Sequence, residues 1–279
     1  MTIGFIGGGN MAGAIIKGLL ADGFHRAAFD HNIPAASLYR PEEVFVTDIT
    51  PERSKDCAKR LGVAAADTAE ALIEHADTVV LAVKPGVFPS LLPSIAPYLQ
   101  EKNPLVISIA AGKTLGFIEE VLGFSPALVR VMPNINAKVG AAMSAFCANQ
   151  QVTQEQKKLV ARLFYAIGQV KELDEAFFPL FGVIAGSAPA FAYLFIDSLA
   201  RAAVKNGMQK QVALEIAAQT VLGSAKLILE GGEHPWALID QVCSPGGTTI
   251  EGIAALQDAG FEAGVRKSVD AALEKDRRL

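Results

Sequence analysis

At 279 residues, 51% of them hydrophobic and 19% charged, the chain is long enough for two domains and a large core. Its net charge of −4 gives no reason to expect nucleic acid, whose binders carry a concentrated basic surface, and three scattered cysteines (Cys57, Cys147, Cys243) with four dispersed histidines argue against a disulfide framework and a zinc site. No basic leader precedes the first apolar run, and the best membrane-length candidate, Ala185 to Val204, carries Asp197 and Arg201, so the expectation is a soluble cytoplasmic protein with no membrane partner and no metal.

The first part alternates short β-rich runs with helical patterns. Thr2–Gly7 reads as a strand, followed by a helix from about Asn10 to Ala21. A long connection from Phe24 to Glu43 leads to the strand Glu42–Ile49 and a helix through Ser54–Gly62. Asp77–Val83, Pro104–Ala111 and Ala127–Met132 are further strands, each followed by turn residues or helix. Thr153–Gly168 has helical spacing at Leu159, Leu163, Phe164 and Ile167, and Gln169–Leu173 is a short closing strand. Strands alternating with helices predict a doubly wound, mostly parallel sheet over residues 1–172.

From Asp174 the strands stop. Asp174–Gly207 reads as one long helix, or two joined at Pro189; Lys210–Gly232 is another, ended by Gly231 and Gly232. His234–Val242, Thr248–Gly260 and Phe261–Asp276 complete an all-helical domain over residues 173–279. Small residues at Ala217, Ala218, Gly223 and Ala225 permit close helix packing. So much apolar helix either needs a partner subunit or packs on the first domain. Tyr193 and the phenylalanines near it are core or interface.

Two stretches carry chemistry. Gly7-Gly8-Gly9-Asn10-Met11-Ala12 fits G-x-G-x-x-G/A directly after a strand and opening a helix. Gly7 allows the tight turn, Gly9 lets a pyrophosphate approach the backbone, and Ala12 lets the helix lie close to the strand. At the end of the second strand, Asp48 either accepts hydrogen bonds from an adenosine ribose or caps the helix before Pro51. It lies well beyond the usual ~20-residue spacing, which the long connection explains. Arg53, one turn on, can instead attract a 2′-phosphate. The second stretch is Cys243–Gly252, which packs a proline, two glycines and several hydroxyls into good helix. It is either a helix start or an anion cradle, because free N–H groups converge there.

With Phe5–Met11, Ala82–Gly86, Ser108–Gly112, Arg130–Asn134, Ala185–Tyr193 and Gly232–Gly252 in view, the chain resembles the pyrroline-5-carboxylate reductases, nearly end to end. That resemblance implies a Rossmann-like domain followed by a helical dimerisation domain, dimers possibly gathered into decamers, and reduction of the cyclic imine 1-pyrroline-5-carboxylate to L-proline with NADPH or NADH. It implies a cofactor site at Ile6, Gly7, Gly8, Gly9, Asn10, Met11, Asp48, Ala82, Val83, Lys84, Pro85, Ala110 and Ala111. It places the substrate on Ser244, Gly246, Gly247, Thr248 and Thr249. The Thr249 hydroxyl takes the ring nitrogen and is the catalytic assignment, and the backbone about Gly247 and Thr248 takes the carboxylate.

Glu175 matches a family position where an acid approaches the substrate, and reads equally as a first-turn carboxylate at a helix start. Lys84 is a cofactor contact or a solvated lysine; Ala110, Ala111 and Gly112 admit a nicotinamide by their smallness or belong to the core. His234 before Pro235 is structural. Two departures stand out. Where the family commonly has Asn-Arg-Ser, this chain has Asp48-Ile49-Thr50, which disfavours a 2′-phosphate and leans toward NADH. Where it tends to read Met-Pro-Asn-Thr-Pro, Asn134 is followed by Ile135 and Asn136. The rivals are a 3-hydroxyacid dehydrogenase, disfavoured by the lack of a lysine in the long helix before Lys205, and a dinucleotide sensor without turnover, which has no use for the second stretch.

Overall fold

The computed structural model describes residues 1–21 and 38–278, so most of the long connection from Phe24 to Glu43 lies outside the described residues. The chain forms two compact units, Met1–Gly186 and Ser187–Leu279.

The first unit is built on β1 (Ile3–Ile6), α1 (Asn10–Leu20), β2 (Val44–Thr47), α2 (Pro51–Leu61), β3 (Ala64–Ala65), α3 (Ala69–His75), β4 (Thr78–Leu81), α4 (Phe88–Lys102), β5 (Leu105–Ser108), α5 (Leu115–Leu122), β6 (Leu128–Met132), β7 (Ala142–Ala148), α6 (Gln154–Tyr165) and β8 (Gly168–Glu172). The strands make one sheet in the order β3-β2-β1-β4-β5-β6-β7-β8. Neighbours run parallel except β6 and β7, which pair antiparallel. β1, β4 and β5 are buried throughout, because helices cover both faces, and apart from Thr78 and Ser108 they are apolar on both. Phe5 and Val80 join Ile15, Ile16 and Leu19 of α1 on one face. Ile6, Val79 and Leu81 join Leu72, Leu92 and Ile118 on the other.

Several elements left no clear pattern in the sequence. In α4, Pro89, Pro93 and Pro97 recur every fourth residue on the exposed face, while Phe88, Leu92, Ile95 and Leu99 are buried. The backbone bonds that Pro93 and Pro97 delete therefore fall toward water, and burial of the opposite stripe overrides their low propensity. β7 is rich in alanine, and its alternation shows only in which residues it buries on each side: Ala142 and Phe146 against one core, Ala145 and Cys147 against another.

The run after β8 is neither one helix nor a simple pair. A 3-10 turn (Glu175–Phe177) leads into α7 (Phe178–Phe181), a π-helical segment (Gly182–Ser187) and then α8 (Ala188–Lys205), with Pro189 in the first turn of α8. α9 (Lys210–Gly231), capped by the left-handed Gly232, α10 (Pro235–Val242), α11 (Thr248–Asp258) and α12 (Phe261–Asp276) follow as expected. His234 is the N-cap of α10, accepting from the Trp236 N–H at 3.3 Å, which is the structural role expected of it.

Among the described residues of the second unit, the buried ones are three alanines, Ala200, Ala213 and Ala217, which let α8 and α9 approach. Leu194, Leu222, Leu229 and Val242 are 60–73% exposed, and Tyr193 is 56% exposed rather than core. Contrary to the expectation that Asp197 and Arg201 interrupt it, the run Glu175–Lys205 is long and apolar enough to cross a membrane by length and composition, as is Lys210–Gly231. Asp197 pairs with both Arg201, one turn away, and Lys210 at the start of α9.

Candidate active site

The glycine loop sits where β1 passes into α1, between its neighbours β2 and β4. That is the switch point at which doubly wound sheets bind ligands. Gly7 has φ +111°, and a Cβ there would lie 2.6 Å from the Ala82 carbonyl oxygen at the end of β4, so only glycine makes this turn. Gly9 is the N-cap of α1 and has no side-chain cap; a Cβ on it would meet nothing within 4 Å. The first N–H groups of α1 therefore face open space, a fitting seat for a pyrophosphate. Ala12 is 1% exposed, as close packing of α1 on β1 requires.

Asp48 organises the loop. Its Oδ2 accepts from the Gly8 N–H at 2.9 Å and its Oδ1 from the Thr50 N–H at 3.1 Å. The N-cap of α2 is Thr50, so Asp48 is not the cap itself; it ties the glycine loop to the turn after β2.

A cleft of about 630 Å³ opens here. Of the residues expected at the cofactor, Ile6, Gly7, Gly9, Asp48, Ala82, Val83 and Lys84 line it. Asn10 and Met11 instead line a neighbouring cavity of about 370 Å³, with Pro133, Asn134, Ile135 and Gly186. Gly8, Pro85, Ala110 and Ala111 line neither. Ala110 is buried and Ala111 exposed; Gly112 has φ +71°. The cleft adds Ile49, 88% exposed, with Asp67, Thr68, Glu70, Ser90 and Ser94, the last five of which did not stand out in the sequence. Ile49 follows β2, and the others belong to the loop before α3, the start of α3 and the first half of α4, the elements with no clear pattern. Arg53 also lines it.

Glu175 lies in the first unit, in a partly buried ion pair. Its Oε1 accepts from Arg130 Nη1 and from the Leu115 N–H, both at 2.9 Å. Arg130 is 6% exposed, and its guanidinium carbon stands 4.5 Å from the centroid of Phe178. Glu175 thus holds the starts of α5 and of the interdomain run against β6. The 3-10 turn it opens is capped by Asp174, whose Oδ1 accepts from Ala176 N–H at 2.9 Å. Beside this pair the buried Cys147 thiol is pushed up to about 12, by burial first and by the Glu175 charge next.

The second candidate stretch forms a sharp corner between α10 and α11. The Gly247 N–H donates to the Ser244 carbonyl at 3.0 Å, with Pro245 second and Gly246 third at φ +65°, the pattern of a type II turn. Gly247 is the N-cap of α11 and lacks a side-chain cap; a Cβ there would fall 2.3 Å from Ser244 Oγ. Ser244 can therefore lay its hydroxyl at the helix start only because residue 247 is glycine. Thr248 and Thr249 are exposed, and among the described residues neither hydroxyl has a hydrogen-bond partner. Free N–H groups, a helix N-terminus and hydroxyls meet in one place, chemistry suited to a small carboxylate.

Residues 175–279 match the family model described as pyrroline-5-carboxylate reductase dimerisation, and residues 2–112 match NADP oxidoreductase coenzyme F420-dependent. The pyrroline-5-carboxylate reductase of Escherichia coli (strain K12) is 40% identical over 278 residues, 99% of this chain and 97% of that one. The chain belongs to the pyrroline-5-carboxylate reductase family. The solved pyrroline-5-carboxylate reductase of Coxiella burnetii superposes with a TM-score of 0.89 at 33% identity, covering 99% of this chain and 97% of that one. A pyrroline carboxylate reductase of Plasmodium falciparum, solved with NADP bound, gives 0.79 at 32% identity over 100% and 97%. In this reductase the glycine-loop unit is the nicotinamide-dinucleotide half, and the apolar helical unit is the self-associating half.

Proposed function

We propose that the protein reduces 1-pyrroline-5-carboxylate to L-proline, the last step of proline synthesis, in the cytoplasm. The observation that carries this reading is the Ser244–Thr249 corner: an uncapped helix start flanked by hydroxyls, in a chain that also has a dinucleotide cleft. Residues 1–172 hold the coenzyme and residues 173–279 hold the substrate and a second copy, with dimers assembled into decamers.

The coenzyme, once bound, supplies a hydride. The chain's own work is positioning and electrostatics. The backbone about Gly246, Gly247 and Thr248, supported by the Ser244 hydroxyl, holds the substrate carboxylate, with the Gly247 N–H itself engaged in the turn. The Thr249 hydroxyl holds the ring nitrogen, and the imine carbon bonded to it accepts hydride more readily when that nitrogen is protonated as an iminium. The uncapped start of α1 takes the pyrophosphate. Ile49 offers an apolar wall at the mouth of the cleft, and Lys84 a cation within it. The Asp48 carboxylate favours a free ribose diol over a 2′-phosphate, so NADH is the better coenzyme, with Arg53 acting in the opposite sense.

Purified protein mixed with the cyclic imine should consume reduced coenzyme, read by its absorbance, faster with NADH than with NADPH. No consumption with either removes the proposal. Thr249→Ala should lower kcat by about 10²-fold, the usual cost of one lost polar contact to a reacting centre, with coenzyme Kd unchanged. Unaltered kinetics would remove Thr249 from the chemistry.

A further inference from the structure

Pro189 has no N–H, and in an α-helix that N–H would bond the carbonyl four residues back, which is Ala185. Buried carbonyls are rarely left without a donor, and Ala185 is 7% exposed. The structure fills the gap from another part of the chain. Asn134 Nδ2 donates to the Ala185 carbonyl at 2.9 Å, and Asn134 Oδ1 accepts from the Met143 N–H at 3.3 Å. Asn134 is 6% exposed, so both bonds lie out of water. Ala185 belongs to the π-helical segment Gly182–Ser187, a kind of turn that recurs at functional sites and needs outside support. That segment is also seated by packing: a Cβ on Gly182 would lie 3.4 Å from the Met132 sulfur. Met132 and Asn134 flank Pro133, so the end of β6 and the turn after it hold the segment by sulfur and by amide.

We infer that Asn134 is a positioning residue of the reductase: it replaces the donor that Pro189 lacks and thereby fixes the π-helical link from which α8 departs. The link joins the unit that carries the coenzyme cleft to the unit that carries the Ser244–Thr249 corner, and Gly186–Ser187 is the covalent passage between them. Freeing a buried carbonyl there lets the backbone relax toward other helical registers, and displacements on the order of 1 Å can cost about 10²-fold in rate. Asn134 and Gly186 both border the cavity that contains Asn10 and Met11, so the clamp abuts the glycine loop without being part of it. The inference rests on the imine-reductase reading only for its kinetic readout.

Asn134→Ala should lower kcat for the imine by about 10–100-fold while coenzyme Kd stays as in the unaltered protein. Hydrogen exchange at residues 182–188 should accelerate. Pro189→Ala restores a backbone N–H four residues after Ala185, so the double variant Asn134→Ala/Pro189→Ala should regain the kcat and the slow exchange of Pro189→Ala alone. Asn134→Asp serves if alanine prevents folding: it keeps the acceptor for Met143, cannot donate when ionised, and should reproduce the kcat loss. Unchanged kcat in Asn134→Ala or in Asn134→Asp overturns the inference. So does a double variant as impaired, and as fast to exchange, as Asn134→Ala. An unaltered protein with no turnover would instead count against the proposed function, and the exchange data would still decide the clamp.

Discussion

Replacing Glu175 by alanine strips Arg130 of its anion and the first N–H of α5 of its acceptor, since one oxygen serves both at 2.9 Å. Breaking a buried pair by removing one partner costs roughly 3–5 kcal/mol, and a hydrogen bond to a charged group contributes about 1.5–3 kcal/mol. The Arg130 side chain is 7% exposed but that of Glu175 is 30%, so water reaches one side of the pair and the lower end applies, about 2–3 kcal/mol. At ~2–4 °C per kcal/mol for a unit of this size, Tm should fall by about 4–12 °C. Glu175→Gln keeps a neutral acceptor and should lose about half as much. Calorimetry on the two variants checks the magnitudes, and kcat across pH checks the role. If the pair is architectural, the pH profile of kcat keeps its shape in Glu175→Gln. Were Glu175 instead an acid acting at the substrate, Glu175→Gln would lower kcat by about 10²–10⁴-fold, with Tm unmoved. That outcome would refute the reasoning.

Gly7→Ala should cost about 1–3 kcal/mol and abolish measurable coenzyme binding by fluorescence titration, because a Cβ there strikes the Ala82 carbonyl from a left-handed backbone. Gly86→Ala, where a Cβ meets nothing within 4 Å, is the matched control and should bind coenzyme normally. Asp48→Asn should raise the NADPH-to-NADH ratio of kcat/KM by about 5-fold, the equivalent of the ~1 kcal/mol between unit charges 4 Å apart in water; an unmoved ratio leaves Asp48 as the tie between Gly8 and Thr50 alone. The Cys147 thiol, raised from 9.0 to about 12, is neutral in the fold over a range where an unfolded thiol ionises. Its contribution is complete below pH 9 and lost as pH climbs toward 12, so the Tm gap between the unaltered protein and Cys147→Ala should be level to pH 9 and narrow above it. A gap that stays level to pH 11 would contradict the shift.

Legibility in the sequence followed burial on two sides. β1, β4, β5 and β6 are covered on both faces, so their residues are mostly apolar, Thr78, Ser108 and Arg130 apart, and the runs were plain to read. β7 hid because small residues suffice where its neighbours approach closely, and α4 hid behind prolines that only a solvent-facing stripe tolerates. The glycine loop was readable because its geometry leaves one residue type possible at Gly7. Asp48, Ala82, Val83 and Lys84 were legible beside it, but the far wall of the cleft was not: Asp67, Thr68 and Glu70 are ordinary helix-start residues, brought there by a topology that no local pattern encodes. Glu175 left two readings open because its partner Arg130 is 45 residues away in sequence, inside a strand that otherwise looks purely apolar. Asn134 was quoted within a motif but had no stated task, since its task is set by the absence of an N–H at Pro189.

The helical half poses a different problem. α10, α11 and α12 contain no fully buried residue in a single chain, and Leu222, Leu229 and Val242 stand 60%, 73% and 66% exposed. Burying one such side chain contributes about 1.5–3 kcal/mol, so a surface of this kind is stable only when covered. The family's dimerisation model spans this region, and a second copy is the cover it calls for. The Ser244–Thr249 corner lies between α10 and α11, so its order is inherited from helices that depend on that cover. The glycine loop is anchored on the buried β1 and α1 and does not share the dependence. Loss of association should therefore disarm the carboxylate corner while leaving dinucleotide binding in place, and that asymmetry distinguishes a substrate site in the helical half from one in the sheet.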